Sequence, residues 1–192
     1  MNELLWAVTR ATALVSVVLL TATFALGVLT SARAPHSPAQ HAVISTVHRT
    51  ISLLMISFVA IHVITAIAET YVEIDWVSAV LPFASGYERG WVGLGTIALD
   101  IVLAVIITSL ARDRISQRVW RLLHLTTYAM WPIALLHGVG SVSTGALLTY
   151  ALTGVCAVVG LTAIGVRLVQ LPADTRRRRA VTALGWRAES TS

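Results

Sequence analysis

Long stretches without a charged side chain divide this chain. Residues 11–32, between Arg10 and Arg33, give 22 uncharged positions; residues 50–68, between Arg49 and Glu69, give 19. Residues 90–111 give 22 positions interrupted only by Asp100, and residues 122–166 give 45. The hydrocarbon core of a bilayer takes about 20 apolar residues of helix. Each of the first three stretches therefore makes one span, and the fourth makes two. The fourth divides near Gly138–Gly145 (GVGSVSTG), a glycine- and serine-rich turn. The pattern predicts five helices, over roughly 4–30, 47–68, 90–111, 119–138 and 145–169. The expected fold is an all-α integral membrane protein, with a transmembrane helical bundle over 1–169 and a basic cytoplasmic tail over 170–192. No internal repeat and no separate soluble domain is visible.

Composition strengthens this reading. Hydrophobic residues make up 56% of the 192, charged residues only 12%, and the mean hydropathy is +0.79; soluble domains carry about 25% charge. One cysteine, Cys156, excludes a disulfide scaffold. A net charge of +5 and a pI near 10.3 would suit nucleic acid, but the placement of the arginines argues for lipid instead. With the N-terminus outside, twelve of the fourteen basic residues, all arginine, fall on the cytoplasmic side. They lie in loop 31–49, in loop 112–121 and from Arg167 onward. The outer side keeps Arg10 and Arg89 beside Glu69, Glu73, Asp75 and Glu88. This is the positive-inside pattern, and it predicts a multi-pass protein of the bacterial plasma membrane with a cytoplasmic C-terminus. Helix 1 reads as a retained span. Its apolar run is long for a signal peptide, it lacks a basic start, and Pro35 would follow a cut at Ala32-Arg33-Ala34.

Histidines carry the candidate chemistry. His36 and His41 are assigned to the first cytoplasmic loop. His48 and His62 fall on helix 2, and His124 and His137 on helix 4. Ionisable groups inside a membrane are costly and usually functional. The spacing from His48 to His62 is 14 residues, roughly 21 Å along a helix axis, and puts both rings on one face. The spacing from His124 to His137 is 13 residues, roughly 20 Å; an ideal helix would leave those rings about 140° apart, a mismatch assigned to a kink at Pro132. Helices 2 and 4 run the same way through the membrane, so His48 lies level with His124 and His62 with His137. Two facing neutral imidazoles ligate one iron axially, and two levels about 20 Å apart suit two haems stacked in a bundle. No Cys-x-x-Cys-His occurs, so such a haem is non-covalent and b-type. The competing reading is a non-redox transporter or assembly factor whose histidines hold a bare metal ion.

The segments HRTISLLMISFVAIH (48–62) and WRLLHLTTYAMWPIALLH (120–137) resemble the ferric reductase-like transmembrane domain family. That family comprises the membrane parts of ferric reductases and NADPH oxidases, and also the haem subunit of the bacterial methionine-sulfoxide repair system. The resemblance covers roughly residues 4–169. It implies two haems b, His48 paired with His124 and His62 with His137, and electron transfer across the membrane. Many relatives have six or more helices and continue into a flavin- and nicotinamide-binding domain. No glycine-rich dinucleotide fingerprint occurs here. The chain is therefore expected to be an oxidoreductase component served by a separate reductase or a membrane quinol. Ferric iron, a quinone, oxygen or an extracytoplasmic protein stand as acceptors; service to a periplasmic methionine-sulfoxide reductase is an alternative within the same chemistry.

Haem propionates need cationic partners. Arg49 follows His48 and Arg121 lies three residues before His124, at the depth of an inner haem; bidentate carboxylate binding suits arginine. Ordinary topology would put both there as well. Arg10, at the depth of His62 and His137, is the expected propionate partner of an outer haem, with a pairing to Asp100 as the alternative. Met55, Phe58, Met130 and Trp131 read as core packing. The acidic loop 69–90 reads as solvated, with Trp76 and Trp91 as interfacial anchors. Arg176 to Arg179 read as a lipid anchor, and Cys156 as inert packing.

Overall fold

The computed structural model describes the backbone of residues 2–31, 38–70, 72, 74–142 and 146–189, and the side chains of 3–28, 39–70, 72, 74–142 and 146–169. His36, the Ala32-Arg33-Ala34 site, Glu73, part of the 138–145 turn and the side chains of Arg176 to Arg179 lie outside the described residues. The elements are α1 (Asn2–Ser31), α2 (Pro38–Ala68), α3 (Trp76–Val80), α4 (Arg89–Leu110), a 3-10 turn (Arg112–Arg114), α5 (Gln117–Leu125), α6 (Thr127–Gly140) and α7 (Leu147–Glu189). Every described element is helical.

Four helices are long and apolar enough to cross a membrane: Glu3–Val28, Ala39–Ala68, Arg89–Leu110 and Leu147–Val169. The protein is a multi-pass membrane protein. The expected fourth span, 119–138, is instead divided between α5 and α6. At 14 residues, α6 reaches only about 21 Å, short of the roughly 30 Å hydrocarbon core. The interruption lies at Thr126, six residues before the proline to which a kink was assigned; Pro132 sits inside α6. Two neighbouring hydroxyls turn back on the chain here: Thr126 Oγ1 donates to the Leu123 carbonyl at 2.6 Å and Thr127 Oγ1 to the His124 carbonyl at 2.7 Å. Such local side-chain bonds compete with the helical ladder. Downstream, the Pro132 ring crowds the carbonyl four residues back.

Helix α2 begins at Pro38, well before the expected residue 47. Proline suits the first helical position, where its missing N–H would be unsatisfied anyway. His41 consequently lies on the first turns of α2, exposed, and not in a loop. Helix α7 likewise continues past residue 169, to Glu189.

Helix α1 is the hub of the bundle, packing on α2, α7 and α6, while α4 packs on α6; α2 makes no comparable backbone approach to α4 or α6. The core draws on all these helices: Leu20, Phe24 and Val28 from α1, Met55 from α2, Ala98 and Val102 from α4, Met130, Trp131 and Leu135 from α6, and Cys156 from α7. Met55, Met130, Trp131 and Cys156 are thus packing residues, as the sequence suggests, and Phe58 is half-buried. Trp131 organises the centre. Its ring stacks on Phe24 at 5.0 Å, and its indole N–H donates to Thr21 Oγ1 at 3.1 Å. It lies so close over Gly160 that a Cβ there would meet the ring at 2.1 Å.

Within the acidic loop, residues 75–83 carry a short helix and pack on α4. Asp75 caps α3, accepting from the Ser78 amide at 2.8 Å and the Ser78 hydroxyl at 2.6 Å. Thr96 Oγ1 of α4 donates to the Ser78 carbonyl at 2.7 Å, and the Phe83 ring covers Gly93. The segment is therefore folded down on the N-terminal half of α4. Trp76, Val77, Val80 and Leu81 stay exposed on its outer side.

Candidate functional site

The four helical histidines point inward from three elements: His48 and His62 from α2, His124 from α5 and His137 from α6. The rings of His62 and His137 lie 6.4 Å apart, centre to centre, with their planes at 68°. His48 lies nearer the other end of α2 from His62, and His124 near the end of α5. Of the two expected pairs, His62 and His137 are the one with rings in contact. The 140° phase problem disappears because His124 and His137 do not share one continuous helix.

Three of the rings are fixed by the same device. His62 Nδ1 donates to the Thr9 carbonyl of α1 at 3.1 Å, His48 Nδ1 to the Thr23 carbonyl of α1 at 3.1 Å, and His137 Nδ1 to the Trp91 carbonyl of α4 at 2.7 Å. A carbonyl can only accept, so each ring is held as the Nδ1–H tautomer and its Nε2 is left as a lone-pair donor. Metal-bound histidines are oriented in this way by a partner on the second nitrogen.

Carbonyls inside transmembrane helices are normally occupied by their own ladder, but each has two lone pairs and can accept a second proton. Helix α1 supplies two such carbonyls, 14 residues apart, matching the 14-residue interval on α2. The long α1–α2 contact therefore sets both rings of α2 in one register.

Two glycines make room for the rings. A Cβ on Gly95 of α4 would lie 2.6 Å from His137 Cε1 and 2.8 Å from its Nδ1. A Cβ on Gly27 of α1 would lie 3.4 Å from His48 Cε1. The Trp91 ring crosses Gly140 in the same manner, so this tryptophan, besides being 40% exposed, packs α4 on α6 and presents its carbonyl to His137. At the other level the His124 ring stacks on Trp120 at 4.9 Å, and the Arg112 guanidinium lies 4.7 Å over the Trp120 ring.

The arginines named from the sequence are placed differently from one another. Arg10 is half-buried, one residue past the carbonyl that holds His62, with its guanidinium 4.6 Å over the Trp6 ring. Asp100 is half-buried midway along α4. Arg49 and Arg121 are exposed; Arg121 lines a shallow hollow with Gln117, Arg118, Leu122 and Leu125.

Sequence reasoning missed Thr9, Thr23 and Trp91, because a backbone carbonyl leaves no mark on residue identity. It also passed over Gly27, Gly95, Trp120 and Arg112. Trp120 had a visible signal, since it lies one turn before His124 on a helix.

Fold and site together define a class: a multi-pass helical membrane protein with histidines on three of its helices, two of them with rings in contact. Sequence comparison matches residues 12–135 to the ferric reductase like transmembrane component family, and the chain belongs to that family. The matched segment contains His48, His62 and His124 and ends two residues before His137. No curated protein and no solved structure shows significant similarity to the chain.

Proposed function

We propose that the protein is a membrane electron carrier holding two non-covalent b-type haems, one between His48 and His124 and one between His62 and His137. The carrying observation is the His62–His137 geometry. Two imidazole–metal bonds of about 2 Å each, extended by roughly 1 Å from each nitrogen to its ring centre, bring two axial imidazoles about 6 Å apart, close to the 6.4 Å seen. The residues fit the group in other ways. Each of these two rings offers Nε2 because its Nδ1 is engaged. Two buried hydroxyls, Ser16 Oγ and Thr23 Oγ1, have no partner among the described residues, and native proteins seldom leave such atoms unmatched.

Bound at these positions, haem supplies a one-electron iron couple. The chain's own residues supply the rest. The carbonyls of Thr9, Thr23 and Trp91 fix ring tautomer and direction and raise the donor strength of the imidazoles. Gly27 and Gly95 let the helices close on the rings. Met55, Met130 and the α1 core keep water out, which bears on potential. Arg10, Arg49 and Arg121 serve as cationic partners for propionates. The arginine distribution supports a cytoplasmic C-terminus, and with it a flow of electrons from a cytoplasmic reductase or quinol toward an acceptor on the far side of the bacterial plasma membrane.

The test is an optical spectrum of the full chain in detergent, with haem quantified per chain. A sharp reduced alpha band and two haems are expected, with one haem remaining after His62→Leu or His137→Leu. A colourless protein after incubation with hemin, or both haems surviving either substitution, overturns the proposal.

A further inference from the structure

Three of the four paired histidines take a carbonyl from another helix; the fourth does not. His124 Nδ1 is buried without a hydrogen-bond partner. What touches its ring is Trp120, one turn earlier on α5, stacked at 4.9 Å with the planes only 22° apart. Trp120 is itself braced from the other side by the Arg112 guanidinium, 4.7 Å over the indole. Its own Nε1 is buried and has no partner, so the indole is held by its faces and not by its polar edge.

The local sequence explains the arrangement. Ser116 caps α5, its hydroxyl accepting from the Val119 amide at 3.3 Å, and the Trp120 amide donates to the Ser116 carbonyl at 3.0 Å. The 3-10 turn Arg112–Arg114 ends two residues before that cap and swings Arg112 back over the first turn of α5. A near-parallel indole and imidazole at this separation is a favoured aromatic geometry, and the indole is the best aromatic face for a cation such as guanidinium. The segment 112–124 thus orients its own histidine, whereas the other three rings depend on contacts between helices.

We propose that Trp120, clamped by Arg112, is the positioning residue for His124 and replaces the backbone carbonyl that the other three histidines use. This rests on the haem reading above. A ring held through its face alone, without a bond at Nδ1, is the axial ligand most easily displaced when the stack is removed. Its iron then opens to exogenous carbon monoxide, while the other three ligands keep their tethers.

The experiment uses the full haem-loaded chain and compares Trp120→Ala, Trp120→Phe and Arg112→Gln. Haem per chain and the carbon monoxide difference spectrum of the reduced protein are read, with low-spin electron paramagnetic resonance of the oxidised protein. Wild type, with both irons six-coordinate, is expected to bind no carbon monoxide. Trp120→Ala is expected either to keep two haems with one of them binding carbon monoxide, or to lose that one haem alone. Trp120→Phe, which keeps a stacking face, should behave as wild type, and Arg112→Gln should fall between. Trp120→Ala that keeps both haems and stays silent to carbon monoxide overturns the proposal. So does loss of both haems, or a Trp120→Phe protein indistinguishable from Trp120→Ala. A wild type without haem removes the reading of the whole site and this inference with it, whereas a coloured wild type with a silent Trp120→Ala removes only the positioning role.

Discussion

A Cβ added to Gly95 would stand 2.6 Å from Cε1 of His137 and 3.0 Å from its Nε2, the atom left free for a ligand. The glycine on α4 is therefore part of the histidine site, although it bears no side chain. Gly160 is crowded to a similar degree, by the Trp131 ring, but lies in the hydrophobic core.

These two glycines make a matched pair of variants. Gly95→Ala must push the His137 ring aside, because the opposing atoms belong to a ring tethered at Nδ1. It should lower haem retention by one per chain. Gly160→Ala overpacks the core, at a typical cost of 1–3 kcal/mol, and should lower the melting temperature while leaving haem content unchanged. Pyridine haemochrome assay and thermal unfolding of both variants in the same detergent distinguish the effects. Full haem in Gly95→Ala contradicts the site as drawn.

Much of this was legible in the residues. The charge-free stretches place the helices, and the 14-residue interval from His48 to His62 fixes a shared face on α2. What was not legible depends on backbone. The fourth span divides at Thr126, whose amide bonds the Leu123 carbonyl in a tighter turn at 3.1 Å, a local choice that composition does not announce. Pro38 suits a first helical position, but the arginines of residues 31–49 read as a loop that would hold His41. The carbonyls of Thr9, Thr23 and Trp91 belong to residues whose side chains have nothing to do with the histidines they hold.

The Trp131–Thr21 hydrogen bond joins α6 to α1 in the interior, at 3.1 Å. Thr21→Val keeps the shape and removes the acceptor, so the buried indole N–H is left without a partner. That loss costs about 1–3 kcal/mol. Thr21→Ser should restore most of it. The expected result is a lower melting temperature for Thr21→Val with an unchanged optical spectrum, since the bond joins two residues of the hydrophobic interior. A Thr21→Val protein as stable as wild type would show that this bond contributes nothing net.

At the cap of α3, the Ser78 hydroxyl and amide hold the Asp75 carboxyl below its usual range. A carboxylate depressed by folding adds stability at pH values above its ordinary pKa and loses that contribution as pH falls through the folded value. Protection of the Ser78 amide should therefore be constant near neutrality and fall only in acid. Asp75→Ala should abolish the protection at every pH. Asp75→Asn, which still caps, should keep it with no acid transition. Hydrogen exchange at that amide, followed as a function of pH, reads all three.

Glu69 works in the opposite sense. It is 6% exposed at the end of α2, and burial pushes its carboxyl above the usual glutamate range. A raised folded pKa means that the native state binds the proton more tightly than the unfolded chain. Its contribution to stability is then fully present below the ordinary glutamate value and declines as pH rises through the folded one. Near neutrality the buried charge opposes folding, and removing it should help. Glu69→Gln is therefore expected to raise the melting temperature at neutral pH and to match wild type in acid, where both side chains are neutral. Melting curves of the two proteins across that range carry the test. A difference that persists unchanged into acid would assign the effect to packing at the end of α2, and not to the charge.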